Sequence, residues 1–284
     1  MSKVRKIGKI LKSHPTIEGA GVHLKRVFGY HQVPDLDPFL LLDHFGSDNP
    51  RDYILGFPWH PHRGIETVTY MLEGEVEHGD SIGNSGVIKS GDVQWMTAGS
   101  GIIHQEMPKQ YQGLMMGFQL WANLPANQKM MEPRYRDVNS KQIPEVSVSD
   151  GVKIKIISGE LMGTNGPVQD IIVDTEYLDV TLEETTEFEH EIQSGYKAFA
   201  YVIDGNGYFA EKKVDIINPE NLVVFGDGDK VTVASGLKGL RFLLVSGKPL
   251  DEPVAWYGPI VMNTQEELDL AFEEYHKGTF IKHK

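Results

Sequence analysis

Cysteine is absent from the 284 residues. That excludes disulfides, thiolate catalysis, iron–sulfur clusters and cysteine-ligated zinc at once. Long hydrophobic runs are missing too, since no stretch approaches the ~18 apolar residues that cross a bilayer. The start, MSKVRKIGKILKSHP, has a basic region but no apolar stretch of signal-peptide length behind it. A cytoplasmic protein with no membrane partner is therefore expected. Positive charge is scarce as well: 27 Lys and Arg against 40 Asp and Glu leave a net charge of −13. Such a chain does not bind nucleic acid or anionic lipid through bulk electrostatics. The local exception, Lys3, Arg5, Lys6, Lys9 and Lys12, reads as a solvated first strand.

Glycine, by contrast, is plentiful, and short alternating apolar runs lie between the glycines. GVHLKRVF (21–28), PFLLLDHF (38–45), ETVTYMLEG (66–74), SGVIKS (85–90) and DVQWM (92–96) read as strands. So do LMMGFQLWANL (114–124), VKIKIISGE (152–160), EYLDVTL (176–182) and YKAFAYVIDG (196–205). NLVVFG (221–226), KVTVAS (230–235) and LRFLLVSG (240–247) complete the set. Their regular spacing predicts an all-β protein of sandwiches or barrels. One helix is expected, over about 264–277, with a cap at Asn263-Thr264, Leu268, Ala271, Phe272 and Tyr275 on one face, and Gly278 at its stop. The polar segment 122–151, with Pro133 and Pro144, reads as a linker. Two domains follow, over 1–135 and 136–284, the second carrying the helix.

The two halves share a pattern. GIETVTYMLEG (64–74) aligns without a gap on GYKAFAYVIDG (195–205), and Gly99 falls near the register of Gly228. The chain reads as two diverged copies of one β-unit.

Chemistry concentrates in the first copy. In FPWHPHRGIETVTY, His60, His62 and Glu66 are spaced to share one face of a regular strand. In GDVQWMTAGSGIIHQEMP, His104 and Glu106 are again two apart. Imidazole and carboxylate ligands from two adjacent strands suit a divalent Fe, Mn, Ni, Cu or Zn ion and leave positions open for chemistry. A lone histidine carries no such implication, and His14, His23, His31, His78, His190, His276 and His283 are read as ordinary polar residues, His44 as mainly structural. At the offsets set by the repeat, the candidate ligands fall on Glu191, Gln193, Lys197, Val233 and Ser235. One metal, in the first half, is the reading.

HPHRGIETVTYMLEGEVEHGDSIGNSG followed by GDVQWMTAGSGIIHQEMP resembles the pirin family. The resemblance extends through DPFLLLDHFG, GFQLWANLP, YLDV and GYKAFAYVIDG, and so covers most of the chain. It implies a bicupin, two cupin-type antiparallel β-barrels with a short C-terminal helix, and a single metal in the N-terminal barrel. The implied ligands are His60, His62, His104 and Glu106, and the implied ion is Fe(II). Glu66 then becomes a supporting residue. The resemblance also implies quercetin 2,3-dioxygenase activity, in which O2 opens a flavonol ring and carbon monoxide leaves. Glu106 would be the base that accepts the flavonol hydroxyl proton, with Trp59, Met96, Phe118 and Trp121 as candidate pocket walls. Some pirins act instead as regulators that bind a protein partner, so a metal- or redox-sensing binding protein is the alternative. Nothing marks a direct nucleic-acid site.

Overall fold

The computed structural model describes residues 3–32 and 35–283. The described residues form antiparallel sheets and one α-helix, in two compact units. One unit takes the residues up to Ser13, Asp35–Pro38 and Lys141–Pro249; the other runs from His14, through Phe39–Ser140, and resumes at Leu250. The chain thus passes between units near Ser140, and both of its ends cross over. The strand Ile7–Lys12 pairs with Asn221–Phe225. The C-terminal helix packs in the unit of the first half, because its apolar face finds a matching surface there. Leu268 and Ala271 bury themselves with Ile260, Met262 and Phe280, and Ile103 packs against them.

The unit built on Phe39–Ser140 has a seven-stranded and a four-stranded sheet. In the interior of the larger lies Ile65–Glu73, flanked by Val93–Thr97 and Met115–Asn123. Eight of its nine residues are buried, which is why it reads as nearly continuous apolar and threonine sequence. The smaller sheet runs Phe57–His62, Ile102–Pro108, Glu75–Asp80, Ser85–Lys89. The other unit is closed by an apolar core in which Ala200, Val202, Val233 and Phe242 are fully buried.

Three expectations change. The stretch 122–151 is no bare linker, for it holds the strands Arg134–Val138 and Glu145–Ser149. Each pairs along an edge, with Val93–Thr97 and with Val152–Ser158, so main-chain bonding succeeds where side-chain alternation is weak. KVTVAS and LRFLLVSG are parts of one strand, Lys230–Gly247, that continues through Gly236 and Gly239 and changes partner on the way. Finally, His60 and His62 do not share a strand with Glu66. The strand Phe57–His62 ends at His62, Gly64 takes φ +77°, and Ile65–Glu73 begins in a different sheet.

The helix matches its signals. It spans Gln265–His276, and Thr264 and Glu267 form a reciprocal capping box at its start. Gly278, at φ +71°, follows its end.

Candidate metal centre

Antiparallel pairing puts His104 directly opposite His60, and His62 opposite Ile102. The pair of strands is bulged, so that Glu106 faces Phe57 rather than the next alternate residue. Three imidazoles therefore converge, with ring centroids 4.4 Å apart for His60–His104, 4.9 Å for His60–His62 and 5.1 Å for His62–His104. One nitrogen from each lies within 4.8 Å of the others. His62 and His104 are buried, and His60 is half-buried.

The hydrogen bonds around these rings fix their protons. His60 Nδ1 lies 2.9 Å from the carbonyl oxygen of Pro58, and His62 Nδ1 lies 3.1 Å from that of Pro259. A carbonyl only accepts, so each Nδ1 is the protonated, donating nitrogen. In the neutral form of each ring the lone pair is then on Nε2, and the two Nε2 atoms face each other at 3.1 Å. Two lone pairs repel at that distance unless a cation lies against both. Among the described residues neither ring nitrogen of His104 has a protein hydrogen-bond partner, although both are buried. Such an orphan costs on the order of 1–3 kcal/mol, which coordination would recover. Burial, reinforced by neighbouring imidazoles, pushes the pKa of His62 and of His104 well below the usual histidine range. Both are neutral near pH 7, the form that binds metal. The three histidines fit a divalent ion.

Both carboxylates from the sequence analysis lie outside this set. Glu106 is buried, and Thr69 Oγ1 donates to its Oε1 at 3.2 Å. Gln119 Nε2 donates to both carboxylate oxygens, at 3.1 and 3.0 Å. The amide is itself oriented, because Trp121 Nε1 donates to Gln119 Oε1 at 3.1 Å. Glu66 points elsewhere. It stands three residues from Thr69 on one strand, so the two face opposite sides of the sheet, and it accepts from Thr97 Oγ1 at 2.6 Å. Burial raises its pKa. His44 stacks on Phe118 at 4.7 Å and is not in the cluster.

The imidazoles of His60 and His62 open onto a cavity of about 760 Å3. His60, His62, Glu106 and Gln119 lie on its wall together with Phe57, Trp121 and Trp256. Of the four pocket walls expected, only Trp121 lines it; Met96 and Phe118 are packed in the core, and Trp59 is 53% exposed outside it. Trp256 and Tyr257, from the C-terminal segment, were not foreseen. Nor were the two buried cations beside the centre, Arg63 and Lys129. Arg63 stands inside the HPHRG stretch, and a charged residue next to a ligand pair was the available signal. Lys129 gave none, since it sits in the supposed linker.

The pirin profile matches residues 21–122, and the pirin C-terminal cupin domain profile matches residues 177–281. A pirin-like protein of Caulobacter vibrioides is 46% identical over 98% of this chain and 99% of its own length. A Pseudomonas aeruginosa protein, provisionally named as a quercetin 2,3-dioxygenase, is 42% identical over 98% of this chain and 99% of its own. Among solved structures, a quercetin 2,3-dioxygenase of Acinetobacter baumannii superposes with a TM-score of 0.90 at 31% identity, covering 98% of each chain. The two antiparallel sheet bodies are thus those of a bicupin. With both halves matched and relatives aligned almost end to end, the chain belongs to the pirin family.

Proposed function

We propose that this protein is a metal-dependent dioxygenase that opens a flavonol ring with O2, in the manner of a quercetin 2,3-dioxygenase. The observation that carries the reading is the meeting of the His60–His62–His104 cluster with a cavity of about 760 Å3 that has tryptophan and phenylalanine on its wall. That volume is in the range that encloses a drug-sized flat molecule, and a wall of this kind favours an aromatic one. The names of the Pseudomonas and Acinetobacter relatives support the same substrate class.

Iron(II) is the proposed ion, and it would supply Lewis-acid and redox chemistry to the bound flavonol and O2. His60, His62 and His104 would hold it. Glu106 is the proposed fourth ligand and base, on the wall of the same cavity and two residues from His104. As a carboxylate it accepts the proton of the flavonol 3-hydroxyl, leaving the ring electron-rich. Gln119 and Thr69 keep it oriented by donating to it. Trp121 and Trp256 exclude water beside the histidines and offer faces to the flavonol rings.

The test is a flavonol assay under air with iron-loaded protein. Flavonol absorbance should fall with matching O2 uptake, and His62→Ala should abolish both. Metal-loaded wild-type protein that turns over no member of a flavonol panel would contradict the reading.

A further inference from the structure

The C-terminal segment is clasped onto the stretch that carries His60 and His62, and the clasp is made of groups that are costly to bury. Val261 N donates to Arg63 O at 3.1 Å, and Arg63 and Ile260 form a parallel bridge. Arg63, 2% exposed, donates from Nε to Ser100 O at 2.7 Å and from Nη2 to Phe280 O at 2.9 Å. Its Nη1 meets Glu274 of the helix at 2.8 Å, and its guanidinium lies 4.2 Å from the centroid of the Phe280 ring. Lys129, 1% exposed, donates to Gly64 O at 2.9 Å, Val261 O at 3.0 Å and Asn123 Oδ1 at 2.6 Å. Between them the backbones meet so closely that a Cβ on Gly64 would lie 1.9 Å from Val261 O.

Burial costs both groups their hydration and pushes their pKa values down, that of Lys129 to about 7, so what they can contribute is registry rather than net stability. What they hold in register is the Pro259 carbonyl, the acceptor of His62 Nδ1–H. Without that acceptor the neutral ring would be free to carry its proton on Nε2, the nitrogen that faces His60 and would ligate a metal. We infer that the C-terminal segment, through the Pro259 carbonyl and the Arg63 and Lys129 clasp, is a working part of the metal centre that sets the tautomer and position of His62. Pro259 is a positioning residue. The affinity half of this inference rests on the three histidines holding a metal; the tautomer half does not.

The two halves are tested together on the full chain. In metal-free wild-type protein, imidazole 15N–1H spectra should show His62 protonated on Nδ1. Glu274→Gln and Phe280→Ala act on the clasp from the helix side, away from the imidazoles. Each should admit the Nε2–H form and weaken Ni2+ binding roughly 10- to 100-fold, the usual cost of losing a partner to a metal-ligating histidine. Phe280→Tyr should restore both. An Nε2-protonated His62 in the wild type overturns the inference. So do folded variants with an unchanged tautomer and unchanged Ni2+ affinity. If Phe280→Ala does not fold, Glu274→Gln and the wild-type spectrum still decide. A wild-type chain that takes up no Ni2+ sinks the metal reading instead, and the tautomer then decides the clasp.

Discussion

His62 and His104 show how burial and function meet in single side chains. Each is neutral in the fold because burial penalises the imidazolium. An unfolded chain protonates both as pH falls below about 6.5. Below that value the unfolded state therefore binds more protons, and stability of the metal-free protein drops as pH falls toward the depressed native values. Each group adds a slope of up to about 1.4 kcal/mol per pH unit in that window. Urea unfolding between pH 7.5 and 5 should show the loss, and His104→Gln should shrink the slope; an unchanged slope would contradict the assignment. Gly64 offers a second test at this scale. With φ +77° and Val261 O 1.9 Å from a built Cβ, Gly64→Ala should cost about 3 kcal/mol or more. Gly83→Ala, at φ +97° with open space around it, should cost only about 1 kcal/mol. Equal urea midpoints for the two variants would show that the close approach does not matter.

Among the elements, the strands and the helix were legible where side chains carried the pattern. TQEELDLAFEEYHKG has its cap, its apolar face and its glycine stop, and the helix forms where these say. Thr264→Ala removes the cap acceptor and should lower stability by about 1 kcal/mol, read as a shift of the unfolding midpoint. A shift within error would mean that the capping box is not felt by the fold. Strands held mainly by main-chain pairing were not legible. Arg134–Val138 has no run of apolar residues, and nothing local says that Val93–Thr97 offers it an edge. The face of Glu66 is hidden for a related reason. Period-two counting assumes one continuous strand, and a single left-handed glycine at position 64 breaks it. Trp256 and Pro259 reach the site from nearly two hundred residues away, and no spacing rule spans that distance.

Over the whole molecule, the repeat is real, and the sheets refine it. Gly64, Gly74, Gly195 and Gly205, the ends of the aligned segments, all take positive φ. In the first half His104 pairs with His60 and Ile102 with His62; in the second, Val233 pairs with Phe188 and Val231 with His190. By this register, with Val233 standing for His104, Phe188 stands for His60 and His190 for His62. The ungapped alignment had placed Glu191 and Gln193 at those positions. One histidine thus survives in the second copy, and its Nε2 is engaged by Glu176 at 2.7 Å. Among the described residues only the first copy gathers three candidate ligands.

Titration of metal-free protein with Ni2+ or Fe(II) under anaerobic conditions asks whether His60, His62 and His104 hold one metal ion. One equivalent should bind per chain, with binding lost in His62→Ala and His104→Ala and retained in His190→Ala. No binding by the wild type, or binding undiminished in His104→Ala, would contradict it.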